Sequence, residues 1–325
     1  MIICVSANPA IDRRLRLGRL HAGAVNRATS VCPLPGGKAA HVAMAAAALG
    51  ERVTWVGFLG GSTGAECERG LVSLGIPVAV VKTAAETRIN MEIVEADGTV
   101  TEVLEPGGHV SEGDAERMLS LCRDLFIEYR GAAQVALSGS LPPGAPADFY
   151  AQLIHLAHAH GCRALLDTSG EALRAALKES PDLVKPNRDE AEALTGVPLG
   201  DARSAAEAAR LLFEAGARGV AISLGAEGMF WQATRDSAPL VARPPRVAAR
   251  SAVGCGDASL AGFAVAHRRG LSGREFVRFA AACGTANCLA DAPGMIDARE
   301  VERLVPQASV ESLTDADRFG GGGNA

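Results

Sequence analysis

From residue 111 onward, apolar runs of strand length alternate with helical stretches, and no other feature limits the fold as much. Residues 134–138, 163–167, 183–184 and 219–224 read as strands. Residues 146–160, residues 202–215 and the stretches opened by Ser169 and Asn187 read as helices. Strands alternating with helices form a parallel sheet covered on both faces, so the sequence predicts an α/β protein. Residues 2–6 and 53–59 add strands, with helices at residues 39–49 and between Gly61 and Gly75. The last helices follow Cys255, Ser272 and Asp297, the first of them after a short strand at residues 247–250. Of the 325 residues 48% are hydrophobic and only 4% aromatic, which implies a large aliphatic core.

Two regions break this rhythm. Residues 13–17 alternate basic and apolar side chains, and a second strand is expected near residues 25–31. Residues 87–104 read as two strands around Ala96-Asp97-Gly98, and Asp-Gly is a hairpin signal. With no helix between them, the strands within 13–32 and 87–104 are expected to form a small separate sheet. So few strands need support from the main body or from a second copy of the chain, and a homodimer through this sheet is expected. Residues 1–308 then make one domain, and residues 309–325, with four consecutive glycines, read as a disordered tail.

A formal charge of −5 without a basic block argues against nucleic acid as a partner. No apolar run reaches membrane-spanning length, and residues 1–6 are too short for a signal peptide. The eight cysteines include no Cys-x-x-Cys pair, so the chain reads as cytoplasmic with reduced thiols.

Gly254-Cys255-Gly256-Asp257 opens the helix at Cys255. Its glycines leave the amides of the first helical turn uncovered, at the positive end of the helix dipole, where an anion binds. Asp257 in that turn reads as a general base beside a transferring phosphoryl group, or simply as a helix cap. In a parallel sheet ligands lie beyond the carboxyl ends of the strands, where Asp12, Ser138, Asp167, Lys185, Ser223 and Gly254 all fall. Gly36-Gly37-Lys38 is not a P-loop, because Cys32 stands at the first glycine position and Ala39 follows the lysine. Gly254-Cys255-Gly256-Asp257-Ala258-Ser259 fails the dinucleotide fingerprint at its last position.

Taken together, Gly36-Gly37-Lys38, Thr87-Arg88-Ile89-Asn90, Ser138-Gly139-Ser140-Leu141-Pro142-Pro143-Gly144, Lys185-Pro186-Asn187 with Glu190, Ser223-Leu224-Gly225 with Gly228, and Gly254-Cys255-Gly256-Asp257 resemble the ribokinase-like (PfkB) carbohydrate kinases. Asp167-Thr168-Ser169-Gly170 points within that family to its phosphosugar branch. The resemblance implies a three-layer α/β/α sandwich with a small β-sheet lid, acting with ATP and Mg²⁺. It implies that Asp257 deprotonates the acceptor hydroxyl while the amides of Gly254, Cys255, Gly256 and Asp257 stabilise the charge in transfer. Lys185, Asn187, Ser223, Gly225, Glu227, Gly228, Gly254 and Gly256 would line the nucleotide, and Glu190 would hold the metal through water. Asp12, Gly36, Gly37, Lys38, His41, Arg88, Asn90 and Ser138 would surround the sugar phosphate, with the planar Arg88 guanidinium suited to its phosphate. The substrate so implied is a sugar phosphate phosphorylated at a hydroxymethyl group, with fructose 1-phosphate leading. Tagatose 6-phosphate, fructose 6-phosphate and then a free sugar or nucleoside are the alternatives; a non-catalytic sugar- or nucleotide-binding regulator is the reading from another class. Gly37-Lys38-Ala39-Ala40-His41 departs from the family's usual Gly-Lys-Gly-x-Asn, so His41 stands where an amide would contact sugar hydroxyls. Cys255 replaces a usual alanine, a change expected to be tolerated.

Overall fold

The computed structural model describes residues 1–313, and most of the expected tail lies outside them. The chain begins with β1 (Ile2–Ser6), β2 (Ala10–Leu17), β3 (Ser30–Gly36), α1 (Lys38–Ala48), β4 (Val53–Leu59), α2 (Gly61–Ser73) and β5 (Val78–Lys82). There follow β6 (Arg88–Glu95), β7 (Val100–Leu104), α3 (Glu112–Glu128), β8 (Gln134–Ser138), α4 (Phe149–Ala159), β9 (Arg163–Asp167), α5 (Gly170–Leu177) and β10 (Leu183–Val184). The last part holds α6 (Arg188–Thr195), α7 (Ala202–Glu214), β11 (Val220–Ser223), β12 (Met229–Gln232), β13 (Leu240–Arg243), α8 (Cys255–Arg268), α9 (Gly273–Leu289), α10 (Ala298–Leu304) and β14 (Ser309–Ser312).

The main sheet has ten strands in the order β14-β13-β12-β11-β10-β9-β8-β1-β4-β5. From β11 to β5 every pairing is parallel. β1 lies within the parallel part, between β8 and β4, and is wholly buried. Alternate side chains of a strand point to opposite faces, so Ile2 and Cys4 join one core with α1, α8 and α9. Ile3 and Val5 join the other, with α3, α4 and α7. These are the three expected layers.

Three antiparallel strands, β12, β13 and β14, extend the sheet beyond its parallel part. They correct two expectations. Residues 247–250 form no strand, because Pro244-Pro245 ends the ladder just after β13 by removing two backbone donors. Residues 309–312, expected in the tail, pair with β13 instead.

The separate sheet exists, in the order β3-β2-β6-β7. Its second strand lies at Ser30–Gly36, later than residues 25–31. Pro33 and Pro35 are compatible with a strand here because β3 is an edge, where missing donors cost no pairing. The register fixes two faces. Asp12, Arg14, Asn90 and Glu92 share one, while Arg13, Leu15, Met91, Ile93 and Val103 share the other.

Candidate active site

The carboxyl ends of the parallel strands, the lid and the N-terminus of α8 meet at one cleft. Gly254 caps α8 at φ 78°, and a Cβ there would lie 2.7 Å from Pro293, so glycine is required for both the turn and the fit. Asn287 near the end of α9 braces this turn: its Nδ2 donates to the Val253 carbonyl at 2.8 Å and its Oδ1 accepts from the Gly294 amide at 2.8 Å. The Cys255 and Cys288 sulfurs pack 2.8 Å apart beneath it. Asp257 is buried in the first turn of α8.

Two charged clusters flank that turn. In the first, His41 on α1 donates from Nδ1 to Asp257 Oδ2 at 2.9 Å and from Nε2 to Asp12 Oδ2 at 2.8 Å. Asn90 on β6 then donates to Asp12 Oδ1 at 2.9 Å. The Asp12 carboxylate lies so close over Gly36 that a Cβ there would be 2.2 Å from it. Burial alone would push the His41 imidazolium down, but the two carboxylates outweigh it and hold its pKa up to about 10. Burial likewise works against the Asp12 charge, and its hydrogen bond with His41 leads the effects that keep its pKa below the ordinary value.

In the second cluster Asp167, at the end of β9, sits between two ammonium groups, with Lys38 Nζ and Lys185 Nζ each 2.7 Å away. Desolvation opposes its charge, yet Lys185 and Lys38 together pull its pKa down to about 2. Lys38 also lies 3.4 Å from Glu190 Oε1. Burial disfavours the Lys38 charge, but Asp167, Asp257 and Glu190 outweigh it and raise its pKa above the ordinary lysine value. Lys185 Nζ lies 3.1 Å from where a side chain on Gly256 would begin, so this ammonium faces the first turn of α8, which no side chain caps.

Most of the residues expected from the sequence therefore converge: Asp12, Gly36, Gly37, Lys38, His41, Asn90, Lys185, Glu190 and the turn from Gly254 to Asp257. Ser138 ends β8, buried with its hydroxyl unpartnered. Asn187 and Glu190 cap α6 reciprocally, Asn187 Oδ1 accepting from the Glu190 amide at 2.8 Å and Glu190 Oε2 from the Asn187 amide at 2.9 Å. Ser223 is bridged to Asn187, and Gly225 and Gly228 follow in the turn after β11. Glu227 points to an exposed ion pair with Arg188 at 2.9 Å. Arg88 stands at the rim, donating to the Glu105 carbonyl at 2.8 Å and the Asn8 carbonyl at 3.0 Å, while its buried Nε has no partner.

One expectation is corrected. Both ring nitrogens of His41 are committed to carboxylates, so it has no polar atom left for a sugar hydroxyl. The structure also adds what local patterns did not single out: Asn287 as a brace, and for the expected strand-end residue Asp167 the place of counter-charge between two lysines. Arg14 is buried on the inward face of the lid, paired with Glu92 at 3.3 Å, and its Nε and Nη1 have no partner.

A buried acid at an open helix N-terminus, flanked by lysines, is equipped to take a hydroxyl proton beside a phosphoryl group. The sequence profile of the pfkB family carbohydrate kinases matches residues 2–295. The chain belongs to the pfkB family of carbohydrate kinases. This kinase is 42% identical over 269 residues to a 1-phosphofructokinase of Xanthomonas campestris pv. campestris, covering 81% of the present chain and 83% of that one. It is 32% identical over 291 residues to the ATP-dependent 6-phosphofructokinase isozyme 2 of Escherichia coli, covering 89% and 92%. The crystal structure of Escherichia coli phosphofructokinase-2 in complex with fructose-6-phosphate superposes with a TM-score of 0.85 at 30% identity, covering 94% and 98% of the two chains. No helix among the described residues of the kinase is long and apolar enough to cross a membrane.

Proposed function

We propose that this kinase transfers the γ-phosphoryl group of ATP to the free hydroxymethyl group of fructose 1-phosphate. The observation that carries the reading is Asp257, buried in the first turn of α8, a helix start that no side chain caps and that Lys185 faces. In this reading His41 holds Asp257 Oδ2, and Oδ1 accepts the proton of the sugar hydroxyl. The freed oxygen forms a bond to the γ-phosphorus as the bond to the ADP oxygen breaks. The amides of Gly254 to Asp257 and Lys185 hold the negative charge of the phosphoryl group in flight. Such a transfer depends chiefly on position and electrostatics, which this cleft supplies. Lys38, Arg88, Ser138, Asp12 and Asn90 hold the sugar phosphate, while Asn187, Ser223, Gly225 and Gly228 line the nucleotide.

Glu190 fits a magnesium ion held through water: Oε2 caps α6, and Oε1 lies on the side of Lys38, at 3.4 Å. A magnesium ion takes most of its ligands from phosphates and waters, so one carboxylate suffices. Bound there, it neutralises charge on the nucleotide phosphates.

Measuring ADP release with fructose 1-phosphate, fructose 6-phosphate, tagatose 6-phosphate and free fructose tests the substrate. The expected result is the highest kcat/KM on fructose 1-phosphate. A preference for fructose 6-phosphate would overturn that choice and favour the activity named for the Escherichia coli relative. In the same panel Arg88→Ala is expected to raise KM for the phosphorylated sugar about 10–100-fold, the worth of charge-assisted hydrogen bonds, and to change KM for free fructose far less. An equal response of both substrates would remove Arg88 as a phosphate ligand.

The lid suggests the assembly. Its outward face carries Met91 and Val103, with Val31 on the neighbouring edge strand, and all three are exposed. A small sheet with one apolar face is stabilised by covering it, so we read the kinase as a homodimer joined lid to lid. Light scattering at micromolar concentration is expected to give twice the 33.4 kDa chain mass. A monomeric mass would count against it. The cysteines, all free, support a cytoplasmic location.

A further inference from the structure

His41 does more than occupy the place of an amide. Its ring joins three elements, from α1 to the lid strand β2 through Asp12 and to α8 through Asp257, at 2.8 and 2.9 Å. Each bond ends on a carboxylate oxygen, and only an imidazolium carries a proton on both nitrogens. A neutral ring would turn a lone pair toward one of the two acids. The residue is buried at 6% exposure, which leaves the ring little room to swing away. We propose that His41 is a positioning residue which, as a cation, fixes the spacing between Asp12, the acceptor's hydroxyl ligand, and Asp257, the base that takes the hydroxyl proton. The proposal rests on the roles given to those two acids above.

The groups acting on the ring come from five elements. Asp12 on β2 and Asp257 on α8 bond it directly; Glu92 on β6 and Glu102 on β7 face it at longer range; Lys38 on α1 opposes it through Asp257. Carboxylates predominate, which keeps the ring charged with a pKa of about 10. The sign follows. The tie is complete at neutral pH and is lost as pH rises through that value, when one ring proton leaves.

Two measurements on the full-length kinase test this. Histidine ring nitrogens of ¹⁵N-labelled enzyme, with the His41 signals assigned by their loss in His41→Asn, are expected to show a doubly protonated ring at pH 8; a neutral ring would overturn the proposal whatever the substrate. On the best sugar phosphate of the panel, wild-type kcat/KM is expected to fall as pH approaches 10. His41→Asn, too short to span both acids, is expected to lose that fall and to raise KM for the sugar phosphate about tenfold or more, as for one lost charge-assisted hydrogen bond. His41→Gln should behave alike, with circular dichroism reporting the fold. Superimposable profiles in wild type and either folded variant would overturn the positioning role while leaving Asp257 as base. Absence of turnover in the wild type would instead strike the proposed function, and the ring measurement would still decide the charge state.

Discussion

Asp257→Asn is expected to lower kcat by about 10²–10⁴-fold, the contribution of a positioned general base. The amide is nearly isosteric, and its carbonyl can still accept the hydrogen bond from His41 that the carboxylate takes at 2.9 Å. The turn around Gly254 is braced by Asn287 and is untouched by the change. ATP affinity measured by calorimetry should therefore stay within a few-fold of wild type while ADP release in a coupled assay collapses. A variant with near-normal turnover would remove Asp257 from the chemistry.

The second large effect concerns stability. Asp167 is buried between Lys38 and Lys185 at 2.7 Å from each, so Asp167→Ala leaves the Lys185 ammonium buried without its carboxylate and Lys38 with Glu190 at 3.4 Å. Removing one partner of a buried ionic group costs about 3–5 kcal/mol. For a chain of this size that amounts to a fall in melting temperature of about 4–8 °C. Differential scanning calorimetry at pH 7 checks it, and a shift below 2 °C would mean that the lysines find other partners. The pH dependence has a definite sign. With its folded pKa held down to about 2, Asp167 stabilises the fold fully above the ordinary carboxylate range. That contribution fades as pH falls from about 4 toward about 2, and Asp167→Asn should flatten the corresponding part of the wild-type stability curve.

The parallel core was legible because its strands and helices each announce themselves over short distances. Glycine stops, apolar runs such as Ala164-Leu165-Leu166 and the Ala-rich α1 all act within one element. The antiparallel extension was hidden because β11, β12 and β13 follow one another without an α-helix, outside the strand–helix alternation that made the short β10 and β11 readable. β3 was misplaced because its two prolines read as a break, and only its position at a sheet edge makes them tolerable. At the site, backbone chemistry was readable from the glycines around Cys255 and from the Asn187 cap. Side-chain pairing was not. That His41 would spend both nitrogens on Asp12 and Asp257 depends on how closely α1 and α8 pack, which no local pattern encodes. Asp167 is a similar case: an acid at a strand end is commonplace until two lysines from other elements are seen against it.

The hydrogen bond between His41 and Asp257 spans 216 positions, and the one between Lys38 and Asp167 spans 129. A chain emerging from the ribosome thus displays Lys38 and His41 long before Asp257. Until α8 has been made and has packed against α1, Lys38 and His41 lack Asp257 and the Gly254 turn beside them. On the function proposed above, a chain that ends before α8 is expected to consume no ATP.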